Sequence, residues 1–401
     1  MNQNTNIEVD RIKCCMKCDA SAKVIQIAGS CSRKIDSNLV KFSHATVKNI
    51  TNDLIKLGYS IVTTVGSEER MNEEDDSSET IIYYWDVLDA VYEHMQSASL
   101  ECSSRILAYV VASEKAEKQI PEYRKDMWKD LINRGVISFF NINPGWNSGA
   151  CKRLQQEKLS DALITLGGGE GVEHLASLYV ANGKPVLPLD MPLDSSCSDG
   201  LGGSSLLSKI AISHPERFIP RLKNASQLIS LRYNNYEDSP EKYANSITEF
   251  IKNNVKPQVF YIRILNNELS EYESVEKFFR SIVDPIIAER GYCIKEMGTS
   301  ETRNPFINVE IFEEIYKSSV VIADISGLRN NCFMEMGYAF GLNKKVLLTA
   351  AYGTELPFDP KAIPCYFWNI GYPEFDQREN FKEFWDKNIN RPPLISRDYI
   401  F

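Results

Sequence analysis

In DISGLRNNCFMEMGYAFGLNKKVLL, residues 324–348, an aspartate closes an apolar run and a lone acidic residue, Glu335, follows inside an apolar segment. The run itself, VVIADIS, reads as a central strand. Open α/β sheets bind ligands outside the carboxyl ends of their strands, which puts Asp324 and Ser326 at such a crevice. Asn330 or Asn331 is a natural N-cap for the next helix, so Glu335 is expected in its first turn, facing the same crevice. The helix N-terminus favours a carboxylate by ~0.3–1 kcal/mol, and by up to about 2 when partly buried, which predicts an ionised Glu335. Such a group can attack an anomeric carbon or stabilise an oxocarbenium-like transition state, and both routes cleave an N-glycosidic bond. The plainer alternative is that Glu335 caps its own helix or pairs with Lys344 or Lys345, and that Asp324 merely forms a turn.

A second candidate is the turn in SDALITLGGGEGVEH, where a strand runs through Gly167, Gly168, Gly169 and Gly171 straight into a helix. Glycines let backbone N–H groups approach a ligand, and the positive helix end favours phosphate. Tight strand-to-helix turns also use glycine for steric reasons alone. Glu170 and Glu173 could be ordinary helix N-terminal charges, and His174 an ordinary surface residue.

The elements that must position these residues alternate strand and helix, which predicts parallel α/β sheets. Strands are expected at AKVIQIAG, GYSIVTTVG, RILAYVVAS, GVISFFNI, DALITLGGG and PVLPLD, with helices between them, including Val40 to Leu57 and Tyr123 to Arg134. The pattern restarts with VFYIRIL, YCIKEM, VVIADIS and KVLLTA. The expected organisation is an N-terminal arm (1–21), a first α/β domain (22–235), a linker helix (236–256) and a second α/β domain (257–401). The acidic stretch at residues 68–79 reads as a solvated loop without chemistry, and DSSCSDGLGGSSLLSK as a ligand lid or a long loop.

A net charge of −9 over 401 residues, with no dense Lys/Arg run, argues against nucleic acid as a partner. No apolar run approaches the ~20 residues of a membrane span. Ten cysteines without framework spacing fit a reducing cytoplasm, and Cys14, Cys15 and Cys18 lack the second pair or nearby histidine of a zinc site. No metal and no required cofactor is expected. Arg263 ends the first strand of the second half, and Arg303 and Arg329 lie in loops of the same edge, where any could hold a phosphate. Tyr261, Phe306 and Tyr338 could stack on a base, although core packing is the plainer fate of Tyr261.

The first half resembles the SLOG superfamily, which includes the LOG phosphoribohydrolases and nucleotide-sensing domains. IAGSCS, with Gly29 and Ser30, stands where that family has its first-strand Gly-Ser turn. CKRLQQEKLSDALITLGGGEGVEHLASLYVANGKPVLPLD is similar to its basic helix, strand, P-G-G-x-G-T-x-x-E turn and G-K-P-V strand. Gly167 replaces the proline, Val172 the threonine and Leu175 the motif's acid, while the helix arginine falls on Lys152 or Arg153. The resemblance implies a nucleotide binder that keeps the phosphate contact and has lost LOG hydrolysis.

The second half resembles the nucleoside 2-deoxyribosyltransferase superfamily, its nucleotide N-hydrolase members and related TIR-type domains, through VVIADISGLRNNCFMEMGYAFGLNKKVLL and LPFD (356–359). The resemblance implies a catalytic Glu335, a ribose or base contact at Asp324, small helix positions at Gly337 and Ala339, and a flavodoxin-like sheet. Ser326, Asn330, Asn331, Tyr338 and Arg263 complete the expected substrate contacts. Joined, the halves are similar to bacterial anti-phage effectors of the Thoeris and CBASS type. That implies a cytoplasmic homo-oligomer in which a nucleotide-derived signal bound by the first half gates cleavage of NAD+ or another nucleotide by the second. The alternatives are a constitutive deoxyribosyltransferase or nucleotide hydrolase, and a non-catalytic nucleotide-sensing scaffold.

Overall fold

Short apolar runs that are buried on both faces can only be central strands, and each is returned to the same edge by a helix, which forces parallel pairing. The structure, a computed structural model, describes residues 23–75, 78–97, 105–142, 145, 147–193, 203–220, 222, 224–234, 239–295, 307–356, 363–389 and 391. The chain divides into two compact units, with the boundary between Val255 and Lys256. Each unit is built on its own parallel sheet, as the alternation of elements predicts.

The first unit contains β1 (Val24–Ser30), α1 (Ser37–Lys56), β2 (Ser60–Thr63), α2 (Tyr84–Ser97), β3 (Ala108–Ala112), α3 (Lys125–Asn133), β4 (Ile137–Asn141), α4 (Ser148–Leu159), β5 (Ala162–Gly167), α5 (Glu170–Ala181), β6 (Val186–Leu189), α6 (Gly203–Ser213) and α7 (Pro240–Asn254). Its strand order is β4-β3-β2-β1-β5-β6, so the direction of strand addition reverses between β1 and β5. Helix α7 starts at a Ser239 cap and Pro240, and buries Ala244, Ile247 and Ile251 in the core of this unit. The segment expected as a linker is therefore packed.

The acidic stretch is a solvated loop, with Glu69, Glu73, Glu74 and Asp75 exposed, except at Glu68. Glu68 keeps a side chain only 4% exposed, accepting hydrogen bonds from Arg70 Nη2 at 3.0 Å, from Arg124 Nε and from the Tyr123 hydroxyl. The two arms of the stretch pair, with Met71 N donating to Glu79 O and Ile81 N to Glu69 O, and Cys31 N donates to Ile81 O at 2.7 Å. A count of charges could not reveal this, because two of the three partners of Glu68, Tyr123 and Arg124, lie 55 and 56 residues away. In the Gly/Ser segment, residues 194–202 lie outside the described residues, and from Gly203 onward the chain is helix α6 with Ser204 and Leu207 buried.

The second unit contains β7 (Gln258–Ile262), α8 (Tyr272–Phe278), α9 (Asp284–Glu289), β8 (Cys293–Lys295), α10 (Ile307–Lys317), β9 (Val320–Asp324), α11 (Asn330–Gly341), β10 (Lys345–Ala351), β11 (Cys365–Trp368) and α12 (Glu374–Asn388). Its order, β11-β10-β9-β7-β8, reverses between β7 and β9. Between α8 and α9 the helix widens into a π turn, Phe279–Val283. Pro285 cannot donate to the carbonyl four residues back, and Arg378 Nε takes that Ser281 oxygen instead at 2.8 Å.

Candidate functional site

The reversal between β7 and β9 leaves residues 263–271 and 325–329 as the loops at the carboxyl ends of the two strands, the usual place for a ligand. These loops touch. A Cβ built on Gly327 would stand 3.4 Å from the Glu271 carboxylate and 3.5 Å from Ile264 Cδ1. Gly327 and Leu328 both have positive φ, 72° and 49°, and for the leucine that conformation costs roughly 1–2 kcal/mol.

Asp324 does not line this crevice. It is 0% exposed, with Oδ1 accepting from Ser326 N at 3.0 Å and Oδ2 from Thr349 Oγ1 at 2.7 Å and Trp368 Nε1 at 2.8 Å. Trp368 is itself stacked on Phe278, ring centroids 4.8 Å apart. Ser326 is equally buried, its Oγ accepting from Ala351 N at 2.8 Å. The expected contacts to ribose or base are thus corrected to a brace, because a carboxylate at a central strand end is surrounded by the donors of neighbouring strands. Burial raises the Asp324 pKa, against the opposing pull of its bonds from Trp368, Thr349 and Ser326. Asp324→Asn cannot accept at both oxygens, so its midpoint in urea should fall by the equivalent of about 2 kcal/mol. An unchanged midpoint would show that the brace does not hold the fold.

Helix α11 begins at Asn330, with Arg329 as its cap residue and no side-chain cap bond, so neither Asn330 nor Asn331 caps it; both are exposed in the first turn. Glu335 is therefore the sixth helical residue, in the second turn. The helix dipole fades within one turn, and burial pushes the Glu335 carboxyl up to about 7 rather than leaving it firmly ionised. It has no hydrogen-bond or ion-pair partner among the described residues. Lys344 donates to the Tyr316 carbonyl and Lys345 is exposed, so pairing with either lysine is not what the chain does. Cys332, buried one turn away, has its thiol pushed up to about 12 by burial and then by Glu335 and Asp324, which places all three in one cluster.

The remaining expected substrate contacts separate. Tyr338 is exposed and meets Phe312 edge-on at 4.7 Å, in a shallow apolar groove with Val309 and Tyr316. Arg263 is a correction: 7% exposed, it is paired with Glu276 and stacked over Phe279 at 5.3 Å, because the side chain at the strand end falls onto α8 and the π turn that follows it. Tyr261 is core, donating to Asp284 Oδ1 at 3.0 Å. Arg303, Phe306 and Pro357 to Asp359 lie outside the described residues. Sequence reasoning missed Thr349, Trp368 and Glu271. The first two act on Asp324 from 25 and 44 residues away, where no spacing signal exists.

At the glycine turn of the first unit, close approach of backbone explains Gly29 and Gly167, and the Val172 side chain explains Gly168. A Cβ would stand 1.7 Å from Leu166 O at Gly29, 2.2 Å from Ser30 O at Gly167 and 2.4 Å from Val172 Cγ2 at Gly168. Gly168 N donates to Ser30 O at 2.8 Å, binding the two strand ends together. Gly169 starts α5 without a side-chain cap, Glu170 and Gly171 are exposed in its first turn, and Glu173 accepts from Gly203 N at 2.7 Å. From α4, Arg153 Nη1 comes to 3.7 Å of where a Gly171 Cβ would stand, and Arg153 Nε donates to His174 Nδ1 at 2.8 Å. Lys152 is half-buried, its pKa lowered by burial and then by Arg153, and it has no acidic partner among the described residues. Arg153, which has no ion pair among the described residues, thus lies beside the first turn of the twelve-residue helix α5, a turn that also carries Glu170 and Glu173.

Among the described residues no cluster of His, Cys, Asp and Glu could hold a metal ion, and no helix is long and apolar enough to cross a membrane. Among solved structures, the chain is similar to a Clostridium botulinum CMP N-glycosidase (17% identical, 31% of this chain and 98% of that one, TM-score 0.23). It is also similar to DNA processing protein A from Helicobacter pylori (11% identical, 57% and 80%, TM-score 0.32). The ATP nucleosidase Cap17 of Escherichia coli strain KTE188 is 25% identical over 185 residues, 45% of this chain and 35% of that protein. The aligned segment thus spans about a third of the length of that curated relative. The family described as ATP nucleosidase Cap17-like, N-terminal, matches residues 20–260, well over half of the chain and nearly all of the first unit. The chain therefore belongs to the ATP nucleosidase Cap17-like, N-terminal, family.

Proposed function

We propose that the protein is a nucleotide N-glycosidase effector in which the first unit binds a nucleotide-derived signal and the second cleaves the substrate, as part of bacterial anti-phage defence. The observation that carries the catalytic half is Glu335, a desolvated carboxyl near 7 with no partner among the described residues, beside the loops of the β7–β9 reversal. Membership of a family named for an ATP nucleosidase supports a nucleotide as substrate. ATP or NAD+ are the candidates, in a cytoplasmic protein that works as a homo-oligomer.

In this mechanism ionised Glu335 attacks C1′ of the ribose. A C1′–O ester bond forms as the C–N glycosidic bond breaks, and its electron pair leaves on the base nitrogen; adenine then takes a proton from water, and the hydroxide left is neutralised by the proton released when the ester is hydrolysed, whereas nicotinamide leaves NAD+ neutral and takes no proton. A second water cleaves the ester and restores the carboxylate. Asp324 acts at one remove, holding Ser326 and with it the loop at residues 325–329.

Signal binding at the glycine turn supplies the differential affinity that shifts the population toward an active state. Lys152 and Arg153 would hold its phosphate.

The test is chromatography of purified protein with ATP, NAD+ and deoxynucleoside monophosphates, with and without cyclic nucleotide and cyclic ADP-ribose signals. Base release that needs a signal is the expected result. Release without one would indicate a constitutive hydrolase or deoxyribosyltransferase, and none despite signal binding a scaffold. Lys152→Ala is expected to weaken signal binding by roughly 10- to 100-fold in calorimetry, from loss of a charge-assisted phosphate contact. Unchanged affinity would remove the first unit as the sensor.

A further inference from the structure

We propose that the segment between β2 and α2, whose described arms are residues 67–75 and 78–82, is a strap latched to the first unit by a proton on His44, and that the latch opens as pH rises past neutrality. His44, on α1, faces two acceptors at once. Its Nδ1 lies 2.6 Å from Asp86 Oδ2 on α2, and its Nε2 lies 2.7 Å from the Thr80 carbonyl on the strap. A carbonyl has no proton to give, so both bonds stand together only while ring and carboxylate hold two protons between them. With one proton left, a ring lone pair must face an oxygen. The proton stays with the charged acceptor, where the bond is about twice as strong, so the bond that breaks is the one to the strap.

The surroundings favour the charged ring. The side chains of His44 and Asp86 are 12% and 19% exposed. Burial pulls the His44 value down, but the bond and charge of Asp86, the Thr80 carbonyl and the charge of Glu79 outweigh it and raise the value above the ordinary 6.5. Burial also raises Asp86, against the bond and charge of His44, and Asp89 adds to that rise. The pair therefore keeps its protons to higher pH than the two groups do in water. Tyr83 meets the ring edge-on with centroids 5.1 Å apart, and burial holds its hydroxyl neutral, well above 10. The cations of α1 on either side are paired, Lys41 with Glu79 at 3.7 Å and Lys48 with Glu93 at 2.6 Å. Helix α7 packs on the other face of α1, through Phe42 against Tyr243.

Thr80 is where the latch acts on the strap. Arg70 and Thr80 bridge its two arms, Met71 N donates to Glu79 O at 2.9 Å, and Ile81 N donates to Glu69 O at 2.8 Å. Just beyond Thr80, Cys31 N donates to Ile81 O and Ser30 bridges Ile82. Ser30 O also accepts from Gly168 N, so the strap ends on the backbone that holds the glycine turn, at the rim of the β1–β5 reversal. The latch is complete below the unfolded histidine value near 6.5 and is lost as pH rises through the higher folded value.

The experiment is hydrogen exchange read by mass spectrometry on the full chain from about pH 6 to about pH 9, expressed as protection factors for the strap with β3 as the internal reference. It needs neither substrate nor signal. Wild-type strap protection is expected to fall ~10- to 100-fold over this range while β3 holds, the loss of one hydrogen bond from a charged donor. His44→Gln should show the low value throughout. Asp86→Asn is the discriminating variant, because its amide donates to Nδ1 of a neutral ring while Nε2 keeps its proton for Thr80, so the strap should stay protected to about pH 9. Wild-type protection that does not change with pH, a His44→Gln strap as protected as wild type at about pH 6, or an Asp86→Asn strap that still opens would each overturn the proposal. If either variant fails to fold, proton NMR of the His44 ring in wild type decides. A midpoint above 6.5 that coincides with strap opening supports the latch, and a midpoint below 6.5 or apart from the opening overturns it.

Discussion

Glu335→Gln is expected to reduce base release by about 10³-fold or more, because the amide cannot form the glycosyl ester. The wild-type rate should rise with pH through about 7, the value to which burial pushes this carboxyl, since only the ionised form attacks. Below that it should fall by roughly tenfold per pH unit. The same burial makes a prediction that needs no substrate. Glu335 titrates higher in the fold than the ordinary carboxylate value of 4.5, so its contribution to stability is complete below the unfolded value and is lost as pH rises through about 7. At about pH 8 the wild type therefore carries a buried charge that Glu335→Gln removes. The variant should melt a few degrees higher there, given ~2–4 °C per kcal/mol for units of this size, and show no such gain at about pH 4. Equal melting temperatures at both pH values would mean that Glu335 is solvated, and a rate unaffected by the substitution would end its catalytic role.

Gly29→Ala should be among the most damaging substitutions in the first unit although it adds one carbon. That carbon would stand 1.7 Å from Leu166 O, in a stretch where Gly29 pairs with Leu166 and Ser30 with Gly167. The central strands β1 and β5 must separate to admit it, at a cost of roughly 3–5 kcal/mol, a large part of the stability of a domain. Gly171→Ala provides the contrast. It lies in the first turn of α5, where its Cβ meets Arg153 at an ordinary 3.7 Å, and should change stability by less than about 1 kcal/mol. Thermal unfolding and soluble yield of the two variants check this. If both behave like wild type, the glycines of the turn are not there for close packing, and the ligand must account for them.

These two sites differ in how much could be read beforehand. The glycine turn was legible as a strand-to-helix turn, since glycine runs between a β-branched run and a helical period have a local cause. Which glycines are steric was not, because Gly29 answers to Leu166 and Gly203 to Gly168 across the sheet edge. Glu335 was legible as an isolated acid in an apolar helix. Its titration was not, since a cap read at Asn330 or Asn331 puts it in the first turn, and the observed start puts it in the second.

Periodicity and turn chemistry are properties of neighbouring residues, so the sequence by itself determined two parallel α/β sheets, the placement of Asp324 at a strand end and of Glu335 on the helix that follows. Partners are properties of distant residues, so only the tertiary structure decided that Asp324 and Ser326 brace a loop, that Arg263 is held by Glu276 and that Glu68 is buried between arginines. The physical reason is that a charged or polar side chain taken out of water must find a partner, and the fold, not the spacing along the chain, brings that partner within reach.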